Sequence, residues 1–537
     1  MNIKEYKRGK LMKKKEVILF VILLVLQTII YIFTGMNKPY LHIDEAYSFG
    51  LTNYDKIEIQ DNPDFYNTWH DREYFEDYLA VQEDEKWDFK SVYENQKNDV
   101  HPPLYYLLLR IGMEFTGGHY SKWPGFILNI IAYIFITIFM YLILKKLLKN
   151  DKNTNIKAMI LAFVSSITLA AVSNVIYIRM YSLLTLEVLI TTFLHIKLIK
   201  KEEIDLKLLI LIGISVLAGV LTHYYYLFYL APLYLVIFVK YIREKQIKKL
   251  VYYTITMLAA GIISLIIFPY SIKHMFFGYR GQGVMENLKA ADLFITGIAQ
   301  QINVLNIYAF NNLLYFIVII IIALWIYTKI RKKEKIKLEK ETKNILIMIC
   351  VPSIVFVLIT AIASPWHVLR YVVPICSIIF VLAIYWIYKL LQKGFSEKIM
   401  NIAISLLLCI ILASPFIFKL KPELLYDNMK GFMEKIGGEL NVPTVYFYES
   451  GKDRLFDDIL TFEKLDNSYI TKDMEYTEEN IQKIFKGKDT SKGIIILLNQ
   501  GENTDNIIDT VKNALDLEKS EYLQRLTSCD AYYVYND

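Results

Sequence analysis

Apolar residues in this chain are gathered into long runs that are separated by short polar connectors. Eleven runs approach the roughly 20 residues that an α-helix needs to cross a bilayer core. They cover residues 16–35, 123–146, 156–174, 176–199, 206–222, 224–242, 248–271, 311–330, 344–363, 370–391 and 398–419. The pattern predicts a polytopic α-helical membrane protein with about 11 transmembrane helices.

Connectors rich in lysine alternate with connectors that carry few cations. The lysine-rich ones cover residues 145–157, 197–207, 240–249, 329–343 and 389–398. Because cytoplasmic loops are enriched in Lys and Arg, the alternation predicts a cytoplasmic N-terminus, residues 1–15, and an extracytoplasmic C-terminal segment. The first run lacks a small-residue cleavage site, so we interpret it as a retained span. The protein is therefore predicted to be a multi-pass protein of the cell membrane.

One further apolar segment, residues 101–115, does not fit the set of spans. It is short, and Arg110 and Glu114 interrupt it. If it crossed the membrane, every later lysine-rich connector would face outward. We therefore predict an interfacial or re-entrant helix on the outer side.

Two outer segments are long enough to carry structure of their own. Residues 36–122 form an acidic loop with predicted interfacial helices, which we assign to a transmembrane domain over residues 16–420. Residues 421–537 are predicted to form a small extracytoplasmic α/β domain. Its predicted strands and helices cover residues 444–448, 477–485, 493–498, 504–517 and 531–535.

Charge and cysteine content narrow the function classes. The net charge is +6, but the cations lie in short connectors instead of on one basic face, so nucleic acid is not a predicted partner. Three cysteines fall inside apolar runs, and Cys529 stands alone near the C-terminus. Their spacing indicates neither a zinc site nor a disulfide framework.

Several ionisable residues share the predicted level of the outer membrane surface. Such groups are costly at membrane depth unless they are paired or face a cavity, which makes each a functional candidate. The alternative is snorkelling of the cations toward headgroups, and a solvated acidic loop for the carboxylates. The candidates are Asp44, Glu45, His101, Arg179, His223, His367 and Arg370.

Carboxylates beside cations at a membrane surface suit sugar transfer from a lipid phosphate. A base removes the proton of the acceptor hydroxyl, and positive groups stabilise the departing phosphate. Arginine suits the second role because its planar guanidinium binds phosphate oxygens and stays charged.

Five short motifs occur in a characteristic order along the chain. Together they resemble the C-type (GT-C) membrane glycosyltransferases, and most closely the bacterial relatives of protein O-mannosyltransferase and of aminoarabinose transferase. The resemblance covers residues 16–400. The motifs are Asp44-Glu45-Ala-Tyr47, His101-Pro-Pro-Leu-Tyr-Tyr106, Arg179-Met-Tyr-Ser182, Thr222-His-Tyr-Tyr225 and Arg370-Tyr-Val-Val-Pro374.

This resemblance implies a polyprenyl phosphate or pyrophosphate sugar as donor and inversion at the anomeric carbon. It makes Asp44 the base or acceptor-orienting carboxylate, with Glu45 as its neighbour in the same motif. Arg179 and Arg370 become candidate phosphate partners. His101 and His223 are expected to shape the site or to assist the leaving group. Tyr181 and Tyr371, from the same motifs, complete the predicted substrate-binding set.

The acceptor is predicted only by class, as an envelope polymer, lipid or protein. The tryptophan-rich motif of oligosaccharyltransferases is absent from the sequence, which argues against asparagine-linked glycan transfer, and no β-trefoil-like repeat supports a protein acceptor. No cofactor is predicted with certainty. A carboxylate pair can bind a divalent metal, but no further oxygen ligands accompany Asp44 and Glu45 in the sequence.

Two other functions compete with this hypothesis. A transporter or flippase of lipid-linked saccharides is expected to place polar residues near the membrane midplane in broken helices, often with repeat symmetry. A non-catalytic membrane scaffold that retains the same fold is the second alternative.

Overall fold

The computed structural model describes residues 13–53, 63–149, 151–289, 293–331, 338–449, 455–499 and 504–536. They form two compact units. Unit 1 comprises Met1–Thr34, Val100–Tyr105 and Phe126–Glu423, and unit 2 comprises Gly35–Asp99, Tyr106–Gly125 and Leu424–Asp537. The structure thus groups most of the acidic loop with the C-terminal segment, a grouping that no sequence pattern suggested.

Helices account for most of the described chain. In order they are α1 Lys14–Met36, α2 Ile43–Asn53, α3 Arg72–Leu79, α4 Lys90–Asn98, α5 Leu104–Met113, α6 Trp123–Leu147, α7 Thr154–Ser166, α8 Leu169–Val175, α9 Tyr181–Leu198, α10 Leu206–Thr222, α11 Tyr226–Arg243, α12 Ile247–Ile267, α13 Tyr279–Lys289, α14 Leu293–Val304, α15 Leu314–Arg331, α16 Lys340–Ala363, α17 Leu369–Gly394, α18 Glu397–Ile417, α19 Lys430–Lys435, α20 Ile459–Phe462, α21 Glu478–Phe485 and α22 Thr504–Leu515.

The predicted fold class, a multi-span helical membrane protein, is confirmed. Eight of the described helices are long and apolar enough to cross a membrane, and the number rises to ten if each of two bent pairs is one span. The apolar helix α10, 17 residues long, covers a further predicted span. Every predicted run therefore coincides with helix in the structure, although the orientation of the termini stays a prediction.

Local polar residues explain where the predicted runs break. The run predicted over 156–174 bends by 61° between α7 and α8, where the Thr168 hydroxyl accepts a hydrogen bond from the N–H of Ala171. A second bend of 93° precedes α15. Asn311 and Asn312 there adopt left-handed backbone angles, which asparagine tolerates better than most residues. Helix capping thus interrupts the first of these runs, and turn formation at the two asparagines sets the start of α15.

Helix α5 is the predicted interfacial segment, and the structure explains its charges. Arg110 Nε lies 2.8 Å from Oε1 of Glu114, and both side chains are fully buried. Arg110 Nη1 also donates to Oδ1 of Asn53 at 2.9 Å. The two charges that interrupt the apolar run therefore satisfy one another inside unit 2. The interfacial position of the helix stays a prediction.

Unit 2 is built on one mixed sheet of six strands in the order β1-β3-β2-β4-β6-β5. Strand β2 is parallel to both β3 and β4, whereas β1, β6 and β5 pair antiparallel to their neighbours. The strands are β1 Trp69–His70, β2 Thr444–Phe447, β3 Ser468–Ile470, β4 Ile494–Asn499, β5 Lys519–Arg525 and β6 Cys529–Tyr535.

The predicted small α/β structure of the C-terminal segment is confirmed, with three additions. All three predicted strands and both predicted helices are present. Strand β4 is buried along its whole length, and α21 and α22 cover the sheet with an apolar core that includes Ile481, Ile496 and Val511. Strands β1, β3 and β5 were not predicted, and β1 comes from the first loop.

A buried carboxyl ties the first loop to the C-terminal segment within unit 2. Asp458 accepts hydrogen bonds from the Tyr40 hydroxyl at 2.9 Å and from the Ser528 hydroxyl at 2.5 Å. The N–H of Thr527 and the Cys529 thiol donate to the same carboxyl. Burial raises the pKa of Asp458, and these hydrogen bonds oppose the shift. Cys529 therefore has a structural contact, and all four cysteines are free thiols.

Candidate functional site

The predicted carboxylate pair lies at the start of α2 in unit 2. Glu45 is fully buried there, and Lys38 Nζ lies 2.7 Å from its Oε1 and 2.6 Å from its Oε2. The N–H of His42 donates to Oε2 of Glu45 at 2.8 Å. Burial lowers the pKa of Lys38, and the charge of Glu45 opposes that shift. Both oxygens of Glu45 are thus engaged in a buried ion pair that fixes the start of the helix.

Asp44 differs from its neighbour because 28% of its side chain is exposed. Its N–H donates to Nδ1 of His42 at 3.1 Å, and its Oδ2 lies 3.6 Å from the same nitrogen. Of the two predicted carboxylates, Asp44 is the one that a substrate can reach.

The other six predicted residues belong to unit 1, where the structure brings them together. Two tyrosines that were not predicted join them, and we call the whole group the cation–aromatic cluster. Its members come from the segment before α5, the start of α9, the link between α10 and α11, and the first turn of α17. They are His101, Tyr177, Arg179, Tyr181, His223, Tyr225, Arg370 and Tyr371.

One half of the cluster is organised around His223. The His223 ring lies 5.7 Å from the ring of His101 and 5.4 Å from that of Tyr181. Tyr181 stacks on Tyr177 with ring centroids 6.0 Å apart. The Tyr177 hydroxyl accepts a hydrogen bond from Nη1 of Arg370 at 3.0 Å, which joins the aromatic stack to a cation.

The other half runs from Arg370 back to His223. The Arg370 guanidinium lies 5.3 Å from the ring centre of Tyr371 and 5.6 Å from that of Trp366, within the range of cation–π attraction. The Tyr371 ring is 5.5 Å from that of Tyr225, whose ring is 4.9 Å from that of His223. The contacts therefore form a closed circuit of side chains from distant segments.

Arg179 lies outside any helix, whereas the sequence placed it one turn inside a span. Helix α9 begins only at Tyr181, and residues 176–180 form a non-helical link. Asn129 holds this link by donating from Nδ2 to the carbonyls of Val175 at 3.0 Å and Tyr177 at 2.8 Å. Arg179 is buried there, and its charge acts on His223. The predicted helix was wrong at this end because a side-chain amide satisfies the backbone instead.

The backbone fixes the protonation pattern of His223. The residue caps the end of α10, and its Nδ1 accepts a hydrogen bond from the N–H of Tyr225 at 3.0 Å. In a neutral imidazole, an accepting Nδ1 leaves the proton on Nε2. His223 can therefore donate a hydrogen bond from Nε2.

A carboxyl that the motifs did not include lies near Arg370. Burial raises the pKa of Glu423 to about 7, and the positive charge of Arg370 opposes the shift. The N–H of Glu423 donates to the Ser173 hydroxyl at 2.8 Å. A group that titrates near neutral pH thus accompanies a predicted phosphate partner. Glu423 follows the last apolar run, and no motif in the sequence there indicates a functional residue.

The last of the candidate residues is His367. His367 is held by its own turn, with Nε2 2.8 Å from the carbonyl of Ala361. Within the part of the chain that the structure describes, no group of three or more His, Cys, Asp or Glu side chains could hold a metal ion. Lys38, the partner of Glu45, was missed because no local spacing pattern links the two residues.

Part of the chain matches a known protein family. Residues 100–271 match the family model described as dolichyl-phosphate-mannose-protein mannosyltransferase. The matched segment contains His101, Arg179, Tyr181 and His223. No curated protein sequence matches the chain.

Two solved structures of one protein, ArnT from Cupriavidus metallidurans, are similar to the chain. The first is bound to undecaprenyl phosphate and gives a TM-score of 0.47 at 10% sequence identity. The second is the apo state, with a TM-score of 0.45 at 10% identity. Each alignment covers 96% of this chain and 97% of the other.

Proposed function

We propose that the protein, whose residues 100–271 match the dolichyl-phosphate-mannose-protein mannosyltransferase family within the C-type glycosyltransferases, transfers a sugar from a polyprenyl-phosphate donor. The proposed acceptor belongs to the cell envelope, and the proposed reaction takes place on the extracytoplasmic side. It inverts the configuration at the anomeric carbon.

The observation that carries this proposal is the cation–aromatic cluster. It gathers Arg179, Arg370 and the Nε2 donor of His223 among aromatic rings in unit 1. Guanidinium groups bind phosphate oxygens bidentately, and aromatic faces suit the apolar side of a sugar ring. These are the groups that a departing polyprenyl phosphate requires.

The proposed reaction is a single displacement. Asp44 accepts the proton of the acceptor hydroxyl as its oxygen forms a bond to the anomeric carbon. The bond from that carbon to the phosphate oxygen breaks, and the polyprenyl phosphate leaves with the electron pair. Arg179 and Arg370 stabilise the charge that develops on the phosphate. One displacement at the anomeric carbon accounts for the proposed inversion.

Exposure separates the proposed roles of the two acidic residues. Asp44 is accessible, whereas the carboxylate of Glu45 is fully buried against Lys38. We therefore assign Asp44 as the base and Glu45 as a positioning residue that fixes the first turn of α2. Neither assignment requires a metal ion.

The Asp44→Asn variant tests the base directly. Removing the basic oxygen while keeping the shape is expected to lower turnover by about 100-fold or more, because general base catalysis contributes roughly 10²- to 10⁴-fold. Purified full-length protein in nanodiscs is incubated with a polyprenyl-phosphate sugar and a membrane extract as acceptor source, and product is measured by mass spectrometry. Donor binding is expected to change little.

Glu94→Gln is the matched control, because Glu94 lies on α4 in the same unit and its carboxylate forms an exposed ion pair with Lys97. Wild-type turnover in the Asp44→Asn variant would remove Asp44 from the mechanism. Movement of intact donor across the bilayer of sealed proteoliposomes, without any transferred sugar, would contradict the transferase and favour a flippase.

A further inference from the structure

Unit 2 exposes a patch of large hydrophobic side chains that contains no residue of the proposed sugar-transfer site. Trp87, in the link between α3 and α4, is 58% exposed, and Ile111 and Phe115 are 43% and 75% exposed. The Trp87 ring lies edge-on against that of Phe115, with centroids 6.0 Å apart. Among the described residues of unit 2, only two other large hydrophobic side chains are exposed, Met36 at the end of the candidate span α1 and Tyr522 on β5. We call Trp87, Ile111 and Phe115 the apolar patch.

Helix α5, which carries part of the patch, is charged inside and apolar outside, the reverse of a helix that faces water. Its one charged residue, Arg110, is fully buried against Glu114. The stripe on its outer side is apolar, recurs at helical spacing and continues one turn past the helix. It consists of Leu107, Leu108, Ile111 and Phe115. A helix that is apolar all round is normally buried in protein or in a membrane, so the exposed stripe requires an apolar partner.

The buried ion pair of α5 also holds Trp87 in place. Trp87 has a φ of 62°, a left-handed conformation that is rare for a bulky residue and persists only where the surroundings fix it. The N–H of Trp87 donates to Oε1 of Glu114 at 3.0 Å, and Nη2 of Arg110 donates to the carbonyl of Glu85 two residues earlier. The strained turn therefore places an indole on the outside of the unit instead of in its core.

The position of the patch in the chain favours lipid over a second protein as the apolar partner. Seven residues, 116–122, connect Phe115 to Trp123, the first residue of the candidate span α6. A chain of that length reaches at most about 30 Å when it is fully extended, so the patch lies close to a membrane surface. Tryptophan, phenylalanine and leucine are the side chains that interfacial segments insert between headgroups and acyl chains.

We propose that the apolar patch inserts into one surface of the lipid bilayer and anchors unit 2 there. The sequence predicted an interfacial helix over residues 101–115. The structure adds the face of α5 that meets lipid and the tryptophan that stands beside it. This anchor goes beyond the proposed function and does not depend on sugar transfer.

The test is quenching of tryptophan fluorescence by brominated phosphatidylcholine. Full-length protein is placed in nanodiscs of phosphatidylcholine that is unbrominated, brominated near the headgroup end of its acyl chains, or brominated near their methyl end. The chain contains six tryptophans, so the emission of Trp87 is taken as the difference between wild type and Trp87→Phe. Bromine near the headgroup is expected to remove about half of this emission or more, and bromine near the methyl end less, because an inserted interfacial face lies about 5–10 Å into the boundary between headgroups and acyl chains.

Trp69→Phe is the matched control for Trp87→Phe. Trp69 belongs to the same unit, but it is half-buried and its ring packs on those of Tyr469 and Phe485. The difference in emission between wild type and Trp69→Phe is therefore expected to be the same in all three lipids.

Phe115→Glu tests the contribution of the α5 stripe. It adds a charge to the patch at an exposed side chain, so it is expected to leave the melting temperature unchanged and to reduce the quenching of Trp87 by about half. The quenching is again obtained by difference, from Phe115→Glu with and without Trp87→Phe. Tyr522→Glu, at an exposed aromatic residue outside the patch, is the control and is expected to leave the quenching of Trp87 as in the wild type.

Equal emission of Trp87 in all three lipids would overturn the proposal and would leave water or a protein partner as the surroundings of the patch. Stronger quenching at the methyl end than near the headgroup would overturn it as well, because Trp87 would then lie in the bilayer core. Wild-type quenching of Trp87 in Phe115→Glu would show that the α5 stripe does not contact lipid, which also contradicts the proposal.

Discussion

Glu45 in unit 2 and Arg370 in unit 1 are both charged side chains in the first turn of a helix, but their surroundings differ. Glu45 is fully buried, and both of its oxygens lie within 2.7 Å of Lys38 Nζ. Arg370 is only half-buried, and its surroundings include a neutral hydroxyl, two aromatic rings and the nearby Glu423 carboxyl. Lys38 neutralises the Glu45 carboxylate, whereas the hydroxyl and the two rings orient the Arg370 guanidinium without neutralising it.

This difference separates structural from functional charge in the molecule. A buried ion pair is stable only while both charges are present. Replacing one of them by a ligand would leave the other charge buried without its counter-ion, at a large cost in free energy. A guanidinium held by aromatic faces keeps donors for an incoming anion. Although Glu45 lies next to Asp44 in one motif, its buried ion pair assigns it a structural role. Substitutions around Glu45 and at Arg370 test this distinction.

The largest effect is expected from Lys38→Met. The variant keeps the side-chain volume but leaves the Glu45 carboxylate buried without its cation, which typically costs about 3–5 kcal/mol. Thermal unfolding of the purified protein, followed by fluorescence, measures the loss. The double variant Lys38→Met/Glu45→Leu is expected to recover most of it, because apolar replacement of a whole buried pair is often neutral.

Lys86→Met is the matched control for Lys38→Met. Lys86 Nζ lies 2.6 Å from Oε1 of Glu83, the same separation as in the buried pair, but this ion pair is exposed. An exposed pair contributes about 0–1 kcal/mol, so the control is expected to unfold almost as the wild type does. Similar losses in Lys38→Met and Lys86→Met would show that burial does not set the strength of the pair.

Arg370→Ala is expected to have the next largest effect, and on ligand binding instead of stability. Loss of a charge-assisted hydrogen bond to phosphate costs about 1.5–3 kcal/mol, which corresponds to about 10- to 150-fold weaker donor binding. Binding of polyprenyl phosphate to protein in nanodiscs measures it. Arg370→Lys is expected to restore only part of the affinity because it keeps the charge without the planar guanidinium.

Arg243→Ala serves as the control for Arg370→Ala, since Arg243 is an exposed cation at the end of α11. If Arg370→Ala and Arg243→Ala bind donor equally well, the phosphate role of Arg370 is lost. If Arg370→Ala instead lowers the melting temperature as strongly as Lys38→Met does, Arg370 belongs with the structural charges.

Much of the fold was predictable because apolar runs and strand patterns are local. Each predicted run contains helix, although residues 176–180 of one run are not helical, and the resemblance to C-type glycosyltransferases is confirmed by the family match over residues 100–271. Strand β1 was not predictable, because a two-residue strand forms only by pairing with β3 from the C-terminal segment. The bend before α15 depends on the backbone angles of Asn311 and Asn312. The hydropathy of the surrounding segment gives no information on these angles.

The candidate site was predictable only as far as its motifs extend. The motifs identified His101, Arg179, His223 and Arg370, and the structure places them in one cluster within unit 1. Their roles, and that of Asp44, stay predictions. Lys38 was not predicted because its role depends on being buried against Glu45. Burial follows from tertiary packing, which composition does not give.

Glu423 was not predicted for the same reason. A test on Glu423 is expected to give the smallest effect, but it probes the surroundings of Arg370 most specifically. Its pKa, raised by burial to about 7, means that the carboxyl is mostly neutral below pH 6 and mostly charged above pH 8. In the charged form it offsets Arg370 and repels a donor phosphate. Affinity for a polyprenyl-phosphate sugar, whose phosphodiester does not titrate in this range, is therefore expected to fall about two- to fivefold from pH 6 to pH 8.

The Glu423→Gln variant is expected to keep the higher affinity across the whole pH range. An equally steep pH profile in that variant would assign the titration to another group. The charge next to Arg370 thus changes when Glu423 gains or loses a proton, whereas the charge of Glu45 stays neutralised by Lys38.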